Sequence, residues 1–324
     1  MATAENAKLQ YEAGQNSVAM SALTDSGDRT TFTSSASIWS GRSGYAPVVR
    51  PNGLLTGGAV SVNATNNTVS IAALTCNLAG VVTSVAGTTG TITRAATNVS
   101  KVNSITINSS GAVAVVAGTD GSTTAFVETR GAAGGPPFIP VGSIEIAQVR
   151  TTTSAAAAVA AAEIFSVVGL HVERADFPIY NVNYSAGSIS FLDVLPAIHT
   201  GSLPKGVYAS YASPIFGDVA LASDFAPPET THSVSSAQVY GTTIGSSSST
   251  LGQGKFTAYL DSGVSDALVA LKNNLLWFKF YPDRYKSSYL LTQGKLGISR
   301  TFPAGDQIKA DCTISAASAA IEVA

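Results

Sequence analysis

The sequence predicts a mainly β protein. Apolar and polar residues alternate over residues 60–64 and 105–107, and many of the apolar ones are β-branched. Asn66-Asn67 and Ser109-Ser110-Gly111 follow these runs, and such residues favour tight turns. Alternation with a period of two, interrupted by small polar turns, is typical of antiparallel hairpins. Short, regularly spaced strands of this kind indicate a sandwich or a barrel.

The composition indicates a protein that is buried against neighbouring molecules. Charged residues make up 12% of the 324 residues, about half of the usual share of a globular domain, whereas the hydrophobic share of 45% is ordinary. Surfaces with few charges suit interfaces, where charged residues are depleted. A secreted, Ser/Thr-rich β protein is the alternative explanation. The net charge of -2 predicts no long-range attraction to nucleic acid or to anionic lipid.

The cysteines and the N-terminus argue against two further classes. Cys76 and Cys312 lie far apart, so they predict neither a disulfide framework nor a CxxC metal motif, and both are expected to be buried thiols in a reducing compartment. The N-terminus lacks the apolar run of a signal peptide. No stretch reaches the roughly 18 consecutive apolar residues that a membrane helix needs. We therefore expect no secretory route and no membrane partner.

The residues that carry enzyme chemistry form no known motif. His171, His199 and His232 share no metal-ligand spacing with one another or with the cysteines. The sequence also lacks a G-x-S-x-G nucleophile elbow, a P-loop and a dinucleotide-binding glycine motif, and its acidic residues are too scattered to nominate a pair. We therefore expect a protein that is not an enzyme and that holds no cofactor and no metal.

Changes in composition divide the chain into four predicted segments. Residues 1–55 are polar and are expected to form extended chain with short strands. Residues 56–150 are almost uncharged and strand-like, and they predict a β-rich accessory module that includes a strand at 143–149. The Ala-rich residues 151–163 are interpreted as a linker, with a short helix as the alternative. Residues 164–324 hold most of the charge and predict a second β domain.

Seven strands and one helix are predicted in residues 164–324. The strands span residues 188–195, 206–211, 235–242, 255–260, 275–281, 290–300 and 307–316. The helix is predicted from Ser265, a suitable N-cap, to Asn274, with Leu268, Leu271 and Leu275 on one apolar face. The second domain is thus predicted to be a β-sandwich or barrel with one short flanking helix.

The order of elements near the C-terminus carries a family resemblance. The aromatic strand 275–281 ends at Pro282-Asp283, the segment Gly294-Lys295-Leu296-Gly297-Ile298-Ser299 follows, and Pro303-Ala304-Gly305-Asp306 precedes a final strand rich in small residues. Together with the preceding helix, this order resembles the tail tube subunits of long-tailed, non-contractile bacteriophages (siphophages), in which such a turn joins two adjacent strands. The resemblance covers residues 164–324. Residues 118–146 look like the glycine- and threonine-rich β-modules of phage structural proteins, and the pairing is most similar to the tail tubes of flagellum-binding siphophages.

The resemblance implies a structural virion protein that assembles with itself. Six copies would close into a ring, each giving strands to a continuous β-barrel, and the rings would stack into a tail tube. Its partners would be further copies, other tail proteins and the viral DNA, which would pass through the lumen during ejection without specific binding. The protein would be assembled in the cytoplasm of the bacterial host and located in the virion tail. The accessory module would precede the tube domain here, whereas in the family an extra domain usually follows it.

A tube that conducts DNA should not hold phosphates, so we expect an uncharged or acidic lumen. The predicted strands 188–195 and 235–242 contain no Lys or Arg, and strand 255–260 contains only Lys255. Asp193 and Asp261 are the candidate lumen-facing carboxylates. The alternative is that both are strand-end or turn residues that face solvent.

Three other functions fit parts of the sequence. A surface or decoration protein that binds a receptor or a glycan would share the Ser/Thr-rich β texture without polymerising. An outer-membrane β-barrel would share the alternation, but the missing signal peptide and aromatic girdles argue against it. A cell-wall hydrolase has no motif in its favour. Electron microscopy separates a tube subunit from a decoration protein, because only the former should form regular tubes.

Overall fold

The computed structural model describes residues 4–324 and confirms a mainly β protein with several antiparallel sheets. Within these residues there are one α-helix, α1 (Ala267–Ala270), and two 3-10 turns, Ala4–Asn6 and Ala161–Glu163. The strands, in chain order, are β1 (Lys8–Ala22), β2 (Thr24–Asp25), β3 (Thr31–Thr33), β4 (Val48–Pro51), β5 (Gly53–Gly57), β6 (Val60–Val62), β7 (Thr68–Ile71), β8 (Leu74–Leu78), β9 (Val81–Val85), β10 (Thr88–Thr91), β11 (Lys101–Ile107), β12 (Val113–Ala117), β13 (Ile144–Thr151), β14 (Ile164–Phe165), β15 (Tyr180–Asn183), β16 (Ser188–Phe191), β17 (Val207–Asp218), β18 (Ala222–Ala226), β19 (Thr230–Val239), β20 (Thr242–Leu251), β21 (Gly254–Leu260), β22 (Leu275–Tyr281), β23 (Tyr289–Thr301), β24 (Ile308–Ala316) and β25 (Ile321–Val323).

The chain folds into two compact units, and each is described by itself. Unit 1 consists of Met1–Ser17, Ile38–Ala46 and Ala212–Ala324, and unit 2 consists of Val18–Ser37 and Pro47–Tyr211. This division differs from the predicted segments. Residues 56–150 lie within unit 2 as one part of it, and residues 164–211, which the sequence assigns to the tube-like domain, belong to the same unit.

Residues 151–163 do not connect two domains. They lead from β13 to β14, and these two strands pair with each other through Gln148↔Phe165 and Val149↔Ile164. The segment is irregular up to its closing 3-10 turn and packs onto unit 2, where Val159 is buried and the Ala157 carbonyl accepts a hydrogen bond from Arg94. The alanines themselves are exposed, so the segment is a surface connection between two paired strands of one unit, and not a linker between domains.

Unit 2 contains four small sheets. Their strand orders are β5-β8-β9, β10-β7-β6, β12-β11-β13-β14 and β15-β16-β3-β2. A single apolar cluster that includes Leu54, Cys76, Ile105 and Ile146 joins the first three. Strand β13 lies between β11 and β14 and is buried along its whole length. The alternation within it therefore does not mark a solvent-facing side.

Unit 1 is built on a sheet with the order β18-β21-β24-β23-β22-β1-β17, and β25 pairs with β23. Alternate residues of its central strands point into an apolar core that includes Phe256, Phe278, Leu296, Cys312 and Ile314. Both Cys312 here and Cys76 in unit 2 are buried free thiols, as predicted.

The predicted helix is a single turn. It begins after Asp266 and not after Ser265, and the Asp266 carboxylate accepts backbone hydrogen bonds from Asp261 and Gly263 in the preceding loop. Leu268 and Leu271 are buried in the core of unit 1, as predicted, whereas residue 275 already belongs to β22. Within residues 4–324, no helix has the length and apolar character required to span a membrane.

The predicted C-terminal strands are largely confirmed, with two corrections. The prediction for residues 275–281 coincides with β22, and those for 290–300 and 307–316 match β23 and β24 to within a residue. The predicted strand 235–242 is wrong, because Tyr240 and Gly241 form a turn inside it. The predicted strand 188–195 ends at Phe191, so Asp193 lies outside it.

A buried carboxylate holds three parts of unit 1 together. Glu12 on β1 is fully buried, and its Oε1 accepts hydrogen bonds from Ser40 Oγ (2.5 Å) and Gln15 Nε2 (2.9 Å). Its Oε2 accepts a hydrogen bond from the backbone N–H of Trp277 at 3.1 Å. These donors are uncharged, so neutral dipoles alone replace the water that the carboxylate loses. The Trp277 indole N–H also donates to the Trp39 carbonyl at 2.8 Å, which fixes the same segment.

We predict that Glu12→Ala lowers the free energy of unfolding by roughly 2–5 kcal/mol, because it leaves the buried Ser40 hydroxyl and Trp277 N–H without acceptors. Glu12→Gln should cost less, since its amide oxygen can accept from Trp277 while its NH₂ group donates to Ser40, and only the half-buried Gln15 NH₂ group loses its acceptor. Urea denaturation of both variants measures this, with Glu229→Ala at an exposed position as the control. Equal stability of Glu12→Ala and wild type would contradict this role.

Candidate assembly site

A long two-stranded hairpin extends from unit 1. Strands β19 and β20 pair antiparallel from Thr230↔Leu251 to Val239↔Thr242, and Tyr240 and Gly241 form the turn. Gly241 has a φ of +86°, which glycine adopts without strain. Each strand has 10 residues, so at about 3.4 Å per residue the hairpin is about 34 Å long.

The hairpin has no covered face. Every residue of β19 is exposed, and so is every residue of β20 except Leu251. The exposed set includes large apolar side chains, namely Val234, Val239, Tyr240 and Ile244. An isolated two-stranded hairpin is at best marginally stable in water, and contiguous exposed apolar groups mark interaction sites. The hairpin is therefore a candidate interaction surface.

The hairpin is also uncharged. No Asp, Glu, Lys or Arg occurs from residue 230 to residue 251. Its hydroxyl groups pair across the strands, with Ser233 Oγ and Ser248 Oγ 2.7 Å apart and Ser235 Oγ and Ser246 Oγ at the same distance. Because neighbouring hydroxyls satisfy one another, these side chains can be buried at a small desolvation cost. Such a surface suits a protein interface better than free solution.

Unit 2 contains a pocket with an apolar mouth. Its volume is about 480 Å³, within the range of small-ligand pockets. The apolar walls consist of Leu170, Val172, Phe177, Pro178, Ile179, Val194, Leu195, Pro196 and Ile198. Four of these, Leu170, Phe177, Ile179 and Val194, are also largely exposed and form the rim.

A tight loop at residues 167–172 positions Leu170, one of these rim residues. The backbone N–H of Gly169 donates to the Val172 carbonyl, and His171 Nδ1 accepts from the Val167 N–H at 3.1 Å. Gly169 has a φ of +82°, and a Cβ at this position would lie 3.1 Å from the Phe177 ring. Glycine is therefore required both for the turn and for the close approach of Phe177.

The floor of the pocket is polar. Glu173 Oε2 accepts a hydrogen bond from the Glu145 N–H at 2.7 Å, and the buried Lys205 donates through Nζ to the Arg174 carbonyl at 2.9 Å. Glu145 is itself buried and pairs with Arg130 at 2.5 Å. The pocket thus combines an apolar mouth with hydrogen-bonding groups at its base.

Burial shifts the ionisation of these groups. The Glu173 residue is partly exposed, but its carboxyl group is enclosed, and desolvation raises its pKa to about 7 although Lys205 acts in the opposite direction. Desolvation also lowers the pKa of Lys205, with Glu173 opposing the shift. Burial thus opposes the charged form of both groups.

The three histidines lie apart and serve different local roles. His171 is buried beside Arg150, and desolvation lowers its pKa. His199 is buried with its Nε2 2.8 Å from the Ser143 carbonyl oxygen, and its pKa is likewise lowered by desolvation. His232 is exposed on β19. Among residues 4–324, no group of three or more His, Cys, Asp and Glu side chains is arranged to hold a metal ion.

The two candidate lumen residues are exposed but belong to different units. Asp193 follows the end of β16 in unit 2 and lines the pocket. Asp261 follows the end of β21 in unit 1, and its backbone N–H donates to Asp266 Oδ1 at 2.9 Å. Each is therefore a loop residue next to a strand end. Their orientation towards a lumen stays a prediction.

Sequence reasoning missed both features of this site. The hairpin was not predicted because its turn, Tyr240-Gly241, lies inside a segment that was interpreted as one strand. Gly241 was the residue that could have indicated a turn there. At the pocket floor, the Glu145 backbone N–H donates to the Glu173 carboxylate, although the two residues lie 28 positions apart. No spacing of side chains in the sequence predicts such a contact.

We predict that Glu173 makes the free energy of unfolding fall as the pH rises from about 4.5 to about 7. The folded state holds the carboxyl proton up to a pKa of about 7, whereas an ordinary glutamate releases it near 4.5. Between these values the folded state binds more protons than the unfolded state, so raising the pH favours unfolding. Urea denaturation between pH 4.5 and 7.5 measures this. As the pH rises, the free energy of unfolding of wild type should fall relative to that of Glu173→Gln.

Asp193→Asn is the matched control for this experiment, because Asp193 is an exposed carboxylate at the same pocket. A stability difference for Glu173→Gln that changes with pH no more than the difference for Asp193→Asn would contradict an enclosed Glu173 carboxyl group.

Comparison with known proteins returns no relative: no protein-family model matches the chain, and no curated protein sequence matches it. The function is therefore argued from the hairpin, the pocket and the fold.

Proposed function

We propose that this protein is a structural subunit that assembles with further copies of itself through the hairpin β19–β20. The observation that carries this proposal is that an uncharged ribbon about 34 Å long has both faces in solvent. A monomer gains nothing from exposing this ribbon, since neither strand buries apolar area and both edges offer unpaired backbone groups. Association covers the faces, the edges or both.

The overall composition supports the same proposal. Only 12% of the residues are charged, and free monomers ordinarily rely on a mixed charged surface for solubility. Exposed large apolar residues occur in unit 2 as well, at the rim of the pocket. An assembly with several contact surfaces per subunit explains why both units carry such groups.

The more specific proposal is a tail tube of a non-contractile bacteriophage, made of stacked hexameric rings that conduct viral DNA. Its support is the resemblance of residues 164–324, together with the element order α1, β22, β23, β24 in unit 1. Strands β23 and β24 are paired neighbours joined by the turn Pro303-Ala304-Gly305-Asp306, as the resemblance implies. Other tail proteins and passing DNA would be its partners, and the virion tail its location after assembly in the host cytoplasm.

The charge on the unit 1 sheet bears on the position of the channel. The exposed side of β21, β24 and β23 carries Lys255, Lys295, Lys309 and Asp311, a net positive set. Repeated by ring symmetry, these lysines would bind DNA phosphates. We therefore expect the channel to be lined by other, uncharged or acidic segments.

We predict that wild-type protein sediments as large particles and that two changes to the hairpin yield a folded monomer. The first replaces residues 231–250 by a four-residue Gly/Ser turn, which preserves the adjacent ends Thr230 and Leu251. The second, Val234→Lys with Ile244→Lys, keeps the hairpin but places charges on its two faces. Sedimentation velocity gives the size, and thermal melting checks that the fold is retained, which we expect because the hairpin buries almost nothing.

Val264→Lys is the matched control, because Val264 is an exposed valine outside the hairpin. It should assemble like wild type. Assembly of both hairpin variants at the wild-type level would refute the role of the hairpin. A wild-type protein that stays a monomer or a small closed oligomer would instead favour a surface or decoration protein.

A further inference from the structure

The pocket in unit 2 is suited to one kind of occupant. Its mouth is lined by Leu170, Phe177, Ile179 and Val194, which contact apolar or aromatic groups well. Its floor offers the Glu173 carboxyl group and the Lys205 ammonium group. Lys205 has three N–H donors, and one of them reaches the Arg174 carbonyl, so the ammonium can donate to a further acceptor. An aromatic ring with a hydroxyl group at its far end matches both parts of the pocket, because the ring contacts the apolar mouth and the hydroxyl group reaches the polar floor.

The charged groups around the pocket do not call for a charged occupant, because Asp193 is exposed to solvent and the others are paired. Glu145 is paired with Arg130, and Arg174 is paired with Asp176 at 2.9 Å. Glu173 and Lys205 oppose each other, so the floor is close to neutral overall. A neutral polar group can be buried there with its hydrogen bonds satisfied, whereas an isolated ion would lose its hydration without a full counter-charge.

The hairpin of the same chain presents such a group. Tyr240 stands at its end, is entirely exposed, and is flanked by Val239 and Gly241. A phenol ring supplies large apolar area with few rotatable bonds, and its hydroxyl seeks a hydrogen-bond partner when buried. Because the tip is narrow and uncharged, it can enter a concave site without bringing an unpaired charge.

Other exposed aromatic residues are less suitable anchors. Tyr285 is also largely exposed, but Arg284 and Lys286 flank it, so its insertion would bury charge. Phe302 lies against Gly263, where a Cβ would meet its ring at 2.6 Å, so Phe302 is already engaged within its own unit.

Resting on the proposed self-assembly, we propose that the Tyr240 tip of one copy inserts into the unit 2 pocket of a second copy. The ring lies between the apolar rim residues, and the phenol hydroxyl hydrogen-bonds with Glu173 or Lys205 at the floor. The two surfaces involved are different parts of the chain, so the contact is heterologous. Repetition of such a contact closes into a ring or continues as a filament, and it does not stop at a dimer.

The test is cross-linking between two variants that each carry one introduced cysteine. Thr242→Cys lies beside the tip and Asp193→Cys lines the pocket, and both leave Tyr240 and the apolar rim intact. Native Cys76 and Cys312 are buried, and desolvation raises the pKa of Cys312 to about 12, so a maleimide should select the introduced thiols. A short bis-maleimide added to a mixture of the two variants should give a dimer that contains one chain of each kind.

Tyr240→Ala in the Thr242→Cys background should lower the yield of this mixed dimer about tenfold or more, as expected for an aromatic anchor, and Tyr240→Phe should retain much of it. Tyr285→Cys mixed with Asp193→Cys is the matched control and should give no mixed dimer. If wild type assembles but no mixed dimer forms, or if Tyr240→Ala leaves the yield unchanged, the docking of Tyr240 is refuted while self-assembly stands. If wild type does not assemble at all, both proposals fail.

Discussion

Two strands that pair only with each other depend on another surface to cover their faces. In unit 1, the central strands meet this requirement internally, because Phe256, Leu296 and Ile314 point into one core. In unit 2, three small sheets share one cluster. The faces of the hairpin β19–β20 lack such a cover, since its residues are exposed and uncharged. The proposed assembly follows from this difference, because only other molecules can supply the missing cover.

The interior of each unit is specified by a buried carboxylate in addition to apolar packing. Glu12 in unit 1 is held by neutral donors, among them the Ser40 hydroxyl and the Trp277 N–H. Glu145 in unit 2 has a cation, Arg130, and also accepts a hydrogen bond from Ser104 Oγ at 2.5 Å. A buried carboxylate is tolerated only where its acceptors are satisfied, so each one ties together segments that are distant in the chain.

The sequence predicted local features better than long-range ones. Alternation located β23 and β24 almost to the residue, because buried side chains recur at every second position along much of each strand. The apolar, aromatic run before Pro282 located β22, in which no residue is exposed. The predicted strand 143–149 is confirmed as β13, but its alternation did not reveal that Glu145 is buried and paired with Arg130, because no local pattern encodes that ion pair. The Ala-rich segment 151–163 was misinterpreted for the same reason, since its role depends on the pairing of β13 with β14. The pocket could not be predicted, because its walls come from distant loops.

Electron microscopy of the purified wild-type protein, with helical reconstruction of any ordered particles, tests the central claim most directly. We expect regular tubes of uniform diameter with an open channel, in which the hairpins are covered by neighbouring subunits. Lys255, Lys295 and Lys309 should lie away from that channel. Discrete monomers or trimers at every concentration would contradict self-assembly, and tubes whose channel is lined by these lysines would contradict a conduit for DNA.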